Sequence, residues 1–200
     1  MVNQKVCVAS SRPIIGDPCL AWASANLPGD WELTGNPEAA NVFISVLYGH
    51  LVSEDFIAQR RCYNFHPGLL PAYRGAGAFS WAIINGDKQC GVTLHELDVD
   101  IDTGPIITTS VYAVEAWDTA ETLCGKGMEQ IYYMFRGWFA RLLSGDYQAV
   151  PQSADGARTY YRKDLRAAAD LTRFVRAFTF EGKEAAYYLD RKGNRHALIW

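Results

Sequence analysis

The spacing of apolar and polar positions changes period several times along this chain, and each change marks an element. Residues 5–9 (KVCVA) form a short apolar run that predicts a first strand, ended by Ser10-Ser11-Arg12-Pro13. A helix over 16–25 follows, opening after Asp17-Pro18. Residues 41–48 (NVFISVLY) carry β-branched and aromatic side chains on both faces, as a central strand of a parallel sheet does when both faces are covered. Ser53 N-caps a short helix through Arg60, with Glu54 and Asp55 in its first turn, and 62–66 is the next strand.

Gly75-Ala76-Gly77 leads into a helix ending near Asn85, closed by Gly86-Asp87. Two further strands, 91–96 and 105–114, flank a loop over 98–104. The longest helix starts at Asp118 with Glu121 as its capping-box partner, and Leu123, Ile131, Phe135, Trp138 and Leu142 recur at helical spacing to Gly145. Gly125 and Gly127 weaken its second turn, where a kink is expected. Beyond Gly156 the pattern predicts a helix around 170–178 and a hairpin turning at Lys192-Gly193-Asn194. Alternating strands and helices specify an α/β fold, a Rossmann-like, mostly parallel sheet flanked by helices. Residues 1–150 form the main domain and 151–200 a small helix-plus-hairpin appendage.

Composition narrows the function. The 200 residues are 49% hydrophobic and 20% charged, enough for a sizeable core. A net charge of −3 argues against nonspecific nucleic-acid binding. Cys7, Cys19, Cys62, Cys90 and Cys124 are scattered, odd in number and lack a C-x-x-C pair, which points to reduced thiols in the cytoplasm rather than disulfides or zinc. No apolar run approaches a membrane span, and Met1 leads straight toward a strand rather than a signal sequence.

Two segments carry the chemistry. In Asn64-Phe65-His66-Pro67-Gly68-Leu69-Leu70-Pro71, an amide and an imidazole share one side of an extended strand before Pro67 and Pro71 force the chain into a loop. Two polar heads aimed one way make poor core, since each needs a buried partner. Asp102-Thr103-Gly104-Pro105-Ile106 adds a carboxylate at a second strand-to-loop transition. Each residue has a bland reading taken singly, as a satisfied histidine, a turn former or a loop. Asp98-x-Asp100-x-Asp102 is no calcium loop, because Thr103 replaces the EF-hand glycine and Thr109 the bidentate glutamate. Trp22, Trp31, Tyr132, Tyr133 and Trp138 read as packing rather than a stacking platform.

The run from Asn64 to Leu70 continues as Pro71-Ala72-Tyr73-Arg74-Gly75. Together with Trp81-Ala82-Ile83, Gly91-Val92-Thr93-Leu94-His95 and Asp102-Thr103-Gly104, it resembles the 10-formyltetrahydrofolate-dependent formyltransferases. The resemblance is strong over about 42–113 and keeps the family's order and spacing. It implies the formyltransferase fold and a catalytic trio at Asn64, His66 and Asp102, with no metal. It also implies a pterin against Leu47, Tyr48, Gly49, His50, Leu51 and Val52 on one side and Val99, Asp100 and Ile101 on the other. His95 lies within an apolar strand and reads as structural, although the family often has a histidine there beside the active site. Formyl transfer passes through a tetrahedral carbon bearing an oxyanion, to which Asn64 and protonated His66 would donate. Asp102 would favour the charged imidazole and hold a water relaying the amine proton. Losing one oxyanion donor typically costs about 2.7–4 kcal/mol of barrier.

The acceptor is sorted by absences. Residues 9–16 lack the glycine- and serine-rich phosphate loop of the purine-pathway enzymes, and about fifty residues after the long helix are too few for the C-terminal barrel of the methionyl-tRNA enzymes. The segment before Asn64 is shortened relative to most of the family. The resemblance therefore implies a nucleotide-linked amino sugar of the kind used for bacterial surface polysaccharides. Arg12, Arg74, Tyr160, Tyr161, Arg162 and Lys163 are candidates for the acceptor side, where the paired basic residues suit a diphosphate or equally a solvated basic turn. An amino acid or aminoacyl group on a carrier protein is the alternative, and a non-catalytic folate-binding module the third. The expected partners are the folate donor and the amine acceptor, without membrane or nucleic acid; a homo-oligomer is compatible with the sequence.

Overall fold

The computed structural model describes residues 4–161, 171–183, 185–189 and 194–198. Its first half comprises β1 (Gln4–Ala9), α1 (Pro13–Ala25), β2 (Trp31–Leu33), a 3-10 turn (Pro37–Ala39), β3 (Val42–Val46), α2 (Glu54–Ala58) and β4 (Arg61–His66). Then come β5 (Arg74–Gly75), α3 (Ala78–Asn85), β6 (Gln89–Glu96), β7 (Ile106–Ala113), α4 (Ala120–Ser144), β8 (Thr159–Tyr160), α5 (Leu171–Ala177), β9 (Tyr187–Leu189) and β10 (Arg195–Ala197).

The main sheet runs β2-β1-β3-β4-β6-β7. Its first four strands are parallel, and β6 and β7 are antiparallel to their neighbours. This is the expected mostly parallel α/β sheet. β3 sits at its centre with all five residues buried. Val42, Ile44 and Val46 face α1 and α4, in a core with Ile15, Cys19, Phe135 and Phe139. Phe43 points the other way, into a smaller cluster with Cys7, Phe56 and Cys62. Burying a phenylalanine contributes roughly 1.5–3 kcal/mol, so both faces stabilise the sheet. Near the carboxyl ends of the strands the second face turns polar, and the site lies there.

Two helix starts differ from the sequence expectation. α1 begins at Pro13, before Gly16, because a proline at the first helical position has its φ preset and needs no amide partner. Pro18 falls inside the helix. α4 is capped by Thr119 rather than Asp118. The Thr119 hydroxyl accepts from the Thr122 amide at 3.2 Å, and the Thr122 hydroxyl accepts from the Thr119 amide at 3.0 Å. The Asp118 carboxylate is buried beneath this box, where it accepts from Lys126 Nζ at 2.7 Å and the Glu115 amide at 2.8 Å. α4 runs unbroken through Gly125 and Gly127, with Gly127 packed against the Phe79 ring.

The C-terminal segment ties back onto the rest. β8 pairs in parallel with β5, Val150 bridges Ile106, and the Ser80 hydroxyl donates to the Ala177 carbonyl at 2.8 Å. β9 and β10 form the antiparallel hairpin. Arg162, Lys163, Asp170, Lys192 and Gly193 lie outside the described residues. No helix among the described residues is long and apolar enough to cross a membrane.

Candidate active site

Strand register assembles the site. Ser45 on β3 stands opposite Asn64 on β4, Asn64 stands opposite His95 on β6, and His66 stands opposite Thr93. Their strand neighbours Val46, Phe65 and Leu94 serve the opposite face, so period-two alternation sends these polar side chains to one side. The β6–β7 pairing slips between Leu94 and His95, an irregularity of the kind that re-aims side chains beside functional sites.

Hydrogen bonds fix the amide and both rings. The Ser45 hydroxyl donates to Asn64 Oδ1 at 2.7 Å. Asn64 Nδ2 lies 3.3 Å from Asp102 Oδ1 and 3.1 Å from His95 Nε2. The carboxylate only accepts, so the amide nitrogen is the end facing it. His95 is fully buried, and its Nδ1 lies 2.6 Å from the Glu96 carbonyl, which also only accepts. The ring therefore carries a proton on Nδ1, leaving Nε2 to accept from Asn64. His66, 3% exposed, has Nε2 2.6 Å from the Tyr73 carbonyl and Nδ1 3.3 Å from Asp102 Oδ2. Both His66 nitrogens face acceptors, and only the doubly protonated ring serves both.

Asp102 joins these groups. Its Oδ2 accepts from the Gly75 amide at 2.8 Å, and its Oδ1 lies 3.6 Å from His95 Nε2. Burial alone would raise its pKa, but the His66 charge and hydrogen bond, with help from the Gly75 amide, hold the carboxyl well below the usual carboxylate range. The backbone of Asp102 is left-handed, at φ 53°, which aspartate tolerates better than most residues. Gly104 then lets the chain return against β6, since a Cβ there would collide with the Glu96 carbonyl. A buried amide, two imidazoles and an ionised carboxylate meet on one face of the central strands, the group types that acyl transfer uses, with their N–H groups given to protein acceptors in this arrangement.

A family model described as formyl transferase matches residues 22–135, more than half of the 200-residue chain. The chain belongs to the formyl transferase family. Solved structures similar to this formyltransferase include a sugar N-formyltransferase from Shewanella sp. FDAARGOS_354, with a TM-score of 0.88 at 19% identity over 98% of this chain and 97% of that one. A 4-N formyltransferase from Francisella tularensis gives a TM-score of 0.85 at 18% identity, over 100% of this chain and 98% of that one. An N-formyltransferase from Helicobacter canadensis, in complex with folinic acid and dTDP-3-aminofucose, gives 0.73 at 19% identity over 90% and 81%. At these identities the likeness is one of fold.

The other expected site residues of the formyltransferase fall into two groups. Leu47, Tyr48, Gly49, His50, Leu51 and Val52 form the loop at the carboxyl end of β3, with Leu47 in a left-handed conformation at φ 52°. Tyr48, Leu51 and Val52 line a cavity of about 420 Å³ with Phe43 and Phe56. His50 is exposed, its ring 5.0 Å from that of Tyr48. Val99, Asp100 and Ile101 are exposed on the loop that ends at Asp102, which leaves apolar Leu51, Val99 and Ile101 in solvent.

The expected acceptor-side residues separate. Arg12 is exposed at the N-cap of α1, beyond the carboxyl end of β1. Tyr160 stacks on Tyr73 at 5.1 Å and leans on Trp81, and its hydroxyl accepts from the Asn85 amide at 2.9 Å. Tyr161 is 44% exposed. Arg74 is half-buried, with Nε and Nη2 on Gln152 Oε1. Sequence reading did not single out Ser45, and it gave His95 a structural role while marking the position as one where the family often has a histidine beside the site. Both sit on the polar face by alternation, a signal that only the register makes visible.

Proposed function

We propose that this formyltransferase moves a formyl group from 10-formyltetrahydrofolate to the amino group of a nucleotide-linked amino sugar, in the cytoplasm, for a bacterial surface polysaccharide. The observation that carries the reaction is the Asn64–His66–Asp102 cluster, closed by hydrogen bonds at the carboxyl edge of the sheet. The substrate class is favoured by the near end-to-end match to the sugar N-formyltransferase from Shewanella. The Helicobacter neighbour holds folinic acid and dTDP-3-aminofucose, a folate and an amino sugar of the required chemistry.

The cavity beside Tyr48 and Val52 suits a flat heterocycle. Its volume of about 420 Å³ falls within the usual range for small-molecule sites. Phe43 on its wall precedes Ser45 by two positions on the same face of β3, roughly 7 Å along the strand. A formyl carbon held between this cavity and Asn64 would meet the amide donor and the Asp102 carboxylate together. Asp102 holds a water that relays the amine proton to the departing folate nitrogen, and His66 helps keep its carboxyl ionised. Donation to the oxyanion requires Asn64 Nδ2 to release its bond to Asp102 or His95, and His66 Nε2 to release its bond to the Tyr73 carbonyl.

The test is tetrahydrofolate release from 10-formyltetrahydrofolate across a panel of nucleotide-linked amino sugars, with free amino acids and glycinamide ribonucleotide as controls. Amine-dependent release with one sugar nucleotide is the expected result. Folate binding without release on any sugar would overturn the sugar assignment and direct the search to carrier-tethered amines.

A further inference from the structure

Gln152 lies outside the span of the family model, in the strand-free stretch between α4 and β8. Its side-chain amide is nonetheless fully engaged at the site. Nε2 donates to the Asp102 carbonyl at 2.9 Å and to the Gly104 carbonyl at 2.7 Å. Oε1 accepts from Arg74 Nε at 3.1 Å and Nη2 at 2.8 Å, a two-pronged grip that settles which end of the amide is oxygen. Arg74 directly precedes Gly75, whose amide holds the Asp102 carboxylate.

These contacts act on a residue the backbone disfavours. A left-handed aspartate persists where its surroundings over-determine it, and Asp102 is held from both ends: the carboxylate by Gly75 and the carbonyl by Gln152. Gln152 is itself anchored on either side in sequence, by the bridge of Val150 to Ile106 and by the pairing of β8 with β5. We propose that Gln152, oriented by Arg74, is a positioning residue that sets the Asp102 carboxylate against His66 and Asn64. The C-terminal segment thereby completes the active site instead of merely covering it. Arg74 serves as orienter of Gln152, not as a ligand of the acceptor.

The kinetic part of this inference rests on the formyl-transfer reading, so the test in the full chain has one arm that does not. Gln152→Leu keeps the bulk and removes both donors and acceptor; Gln152→Glu keeps the acceptor for Arg74 but sets a charged oxygen against two carbonyls. Displacing a reacting group by about 1 Å costs on the order of a hundredfold. With the amine that supports wild-type turnover, both variants are expected to lose kcat on that scale, with KM for 10-formyltetrahydrofolate within about twofold. Wild-type kcat in Gln152→Leu, with only a lower Tm, overturns the proposal. Arg74→Lys should lower kcat at an unchanged acceptor KM; a raised acceptor KM at unchanged kcat would instead put Arg74 on the acceptor and overturn its part.

The second arm needs no acceptor. The 13C resonance of the Asp102 carboxyl should stay flat to the acid limit of folding in the wild type and show the start of a titration step in Gln152→Leu. An identical flat profile in the folded variant overturns the proposal even if the acceptor has been misassigned.

Discussion

The Ser45 hydroxyl points across the β3–β4 pair at the amide oxygen of Asn64, 2.7 Å away. This bond fixes the rotation of the Asn64 amide, and through it the direction in which the Nδ2 protons point. Removing the hydroxyl leaves Oδ1 short of a donor, a loss of about 1–3 kcal/mol when the group is buried. Ser45→Ala is therefore expected to lower kcat about tenfold, the equivalent of 1.4 kcal/mol of barrier, while far-UV CD stays at wild type. Unchanged kcat in Ser45→Ala would show that the amide is held without it.

The central prediction concerns the pair beneath. His66→Ala removes the partner that does most to lower the Asp102 pKa, and Asp102→Ala removes the group that joins His66, Asn64 and the Gly75 amide. Each should cost a hundredfold or more in turnover, roughly the loss of one preorganised donor, with folate binding retained. Tetrahydrofolate release measured beside equilibrium folate binding checks this, and near-wild-type release in either variant would remove the residue from the mechanism.

Much of this site was legible because its main signals are local. Asn64 and His66 announce themselves by a two-residue spacing just before prolines, and the strands around them by apolar composition. The Asp102-Thr103-Gly104 turn needs its glycine because a Cβ there would meet the Glu96 carbonyl. His95 was harder, since it sits amid Val92, Thr93 and Leu94 and only pairing with Asn64 separates it from core. Gln152 carried no signal. It is an isolated polar residue in a loop, and its meaning comes from a contact made 50 positions away in the chain. The start of α1 was misplaced because Asp17-Pro18 imitates a helix opening, while Pro13 supplies the real one.

Asp102 also makes stability depend on pH. Its carboxyl titrates well below the ordinary value of 3.8 in the folded chain, against a burial term that alone would raise it. Near neutral pH both folded and unfolded states are ionised, so the contribution is fully present. Below about pH 5 the unfolded chain takes up the proton first, and the contribution drains away as pH falls toward the folded value. Asp118 works in the same direction: burial raises it, and Lys126, the Glu115 amide and Thr122 more than offset that. Asp102→Asn should therefore be less stable than wild type at pH 7 and lose less between pH 5 and pH 3, by urea denaturation. Parallel acid limbs in the two proteins would mean that Asp102 is not held low by the fold.

Gly104 offers the sharpest test of the loop geometry. A methyl group there would meet the Glu96 carbonyl of β6, a strand paired on both sides and unable to yield as a flexible side chain would. The loop must give instead, and the residue two positions back is Asp102. Gly104→Ala should thus cost about 1–3 kcal/mol of stability through overpacking and lower turnover more than that loss of folded protein explains. The check is kcat per folded molecule at a temperature well below the Tm of the variant. If kcat per folded molecule matches wild type while Tm falls, the loop moves without carrying Asp102, and the coupling between the turn and the carboxylate is refuted.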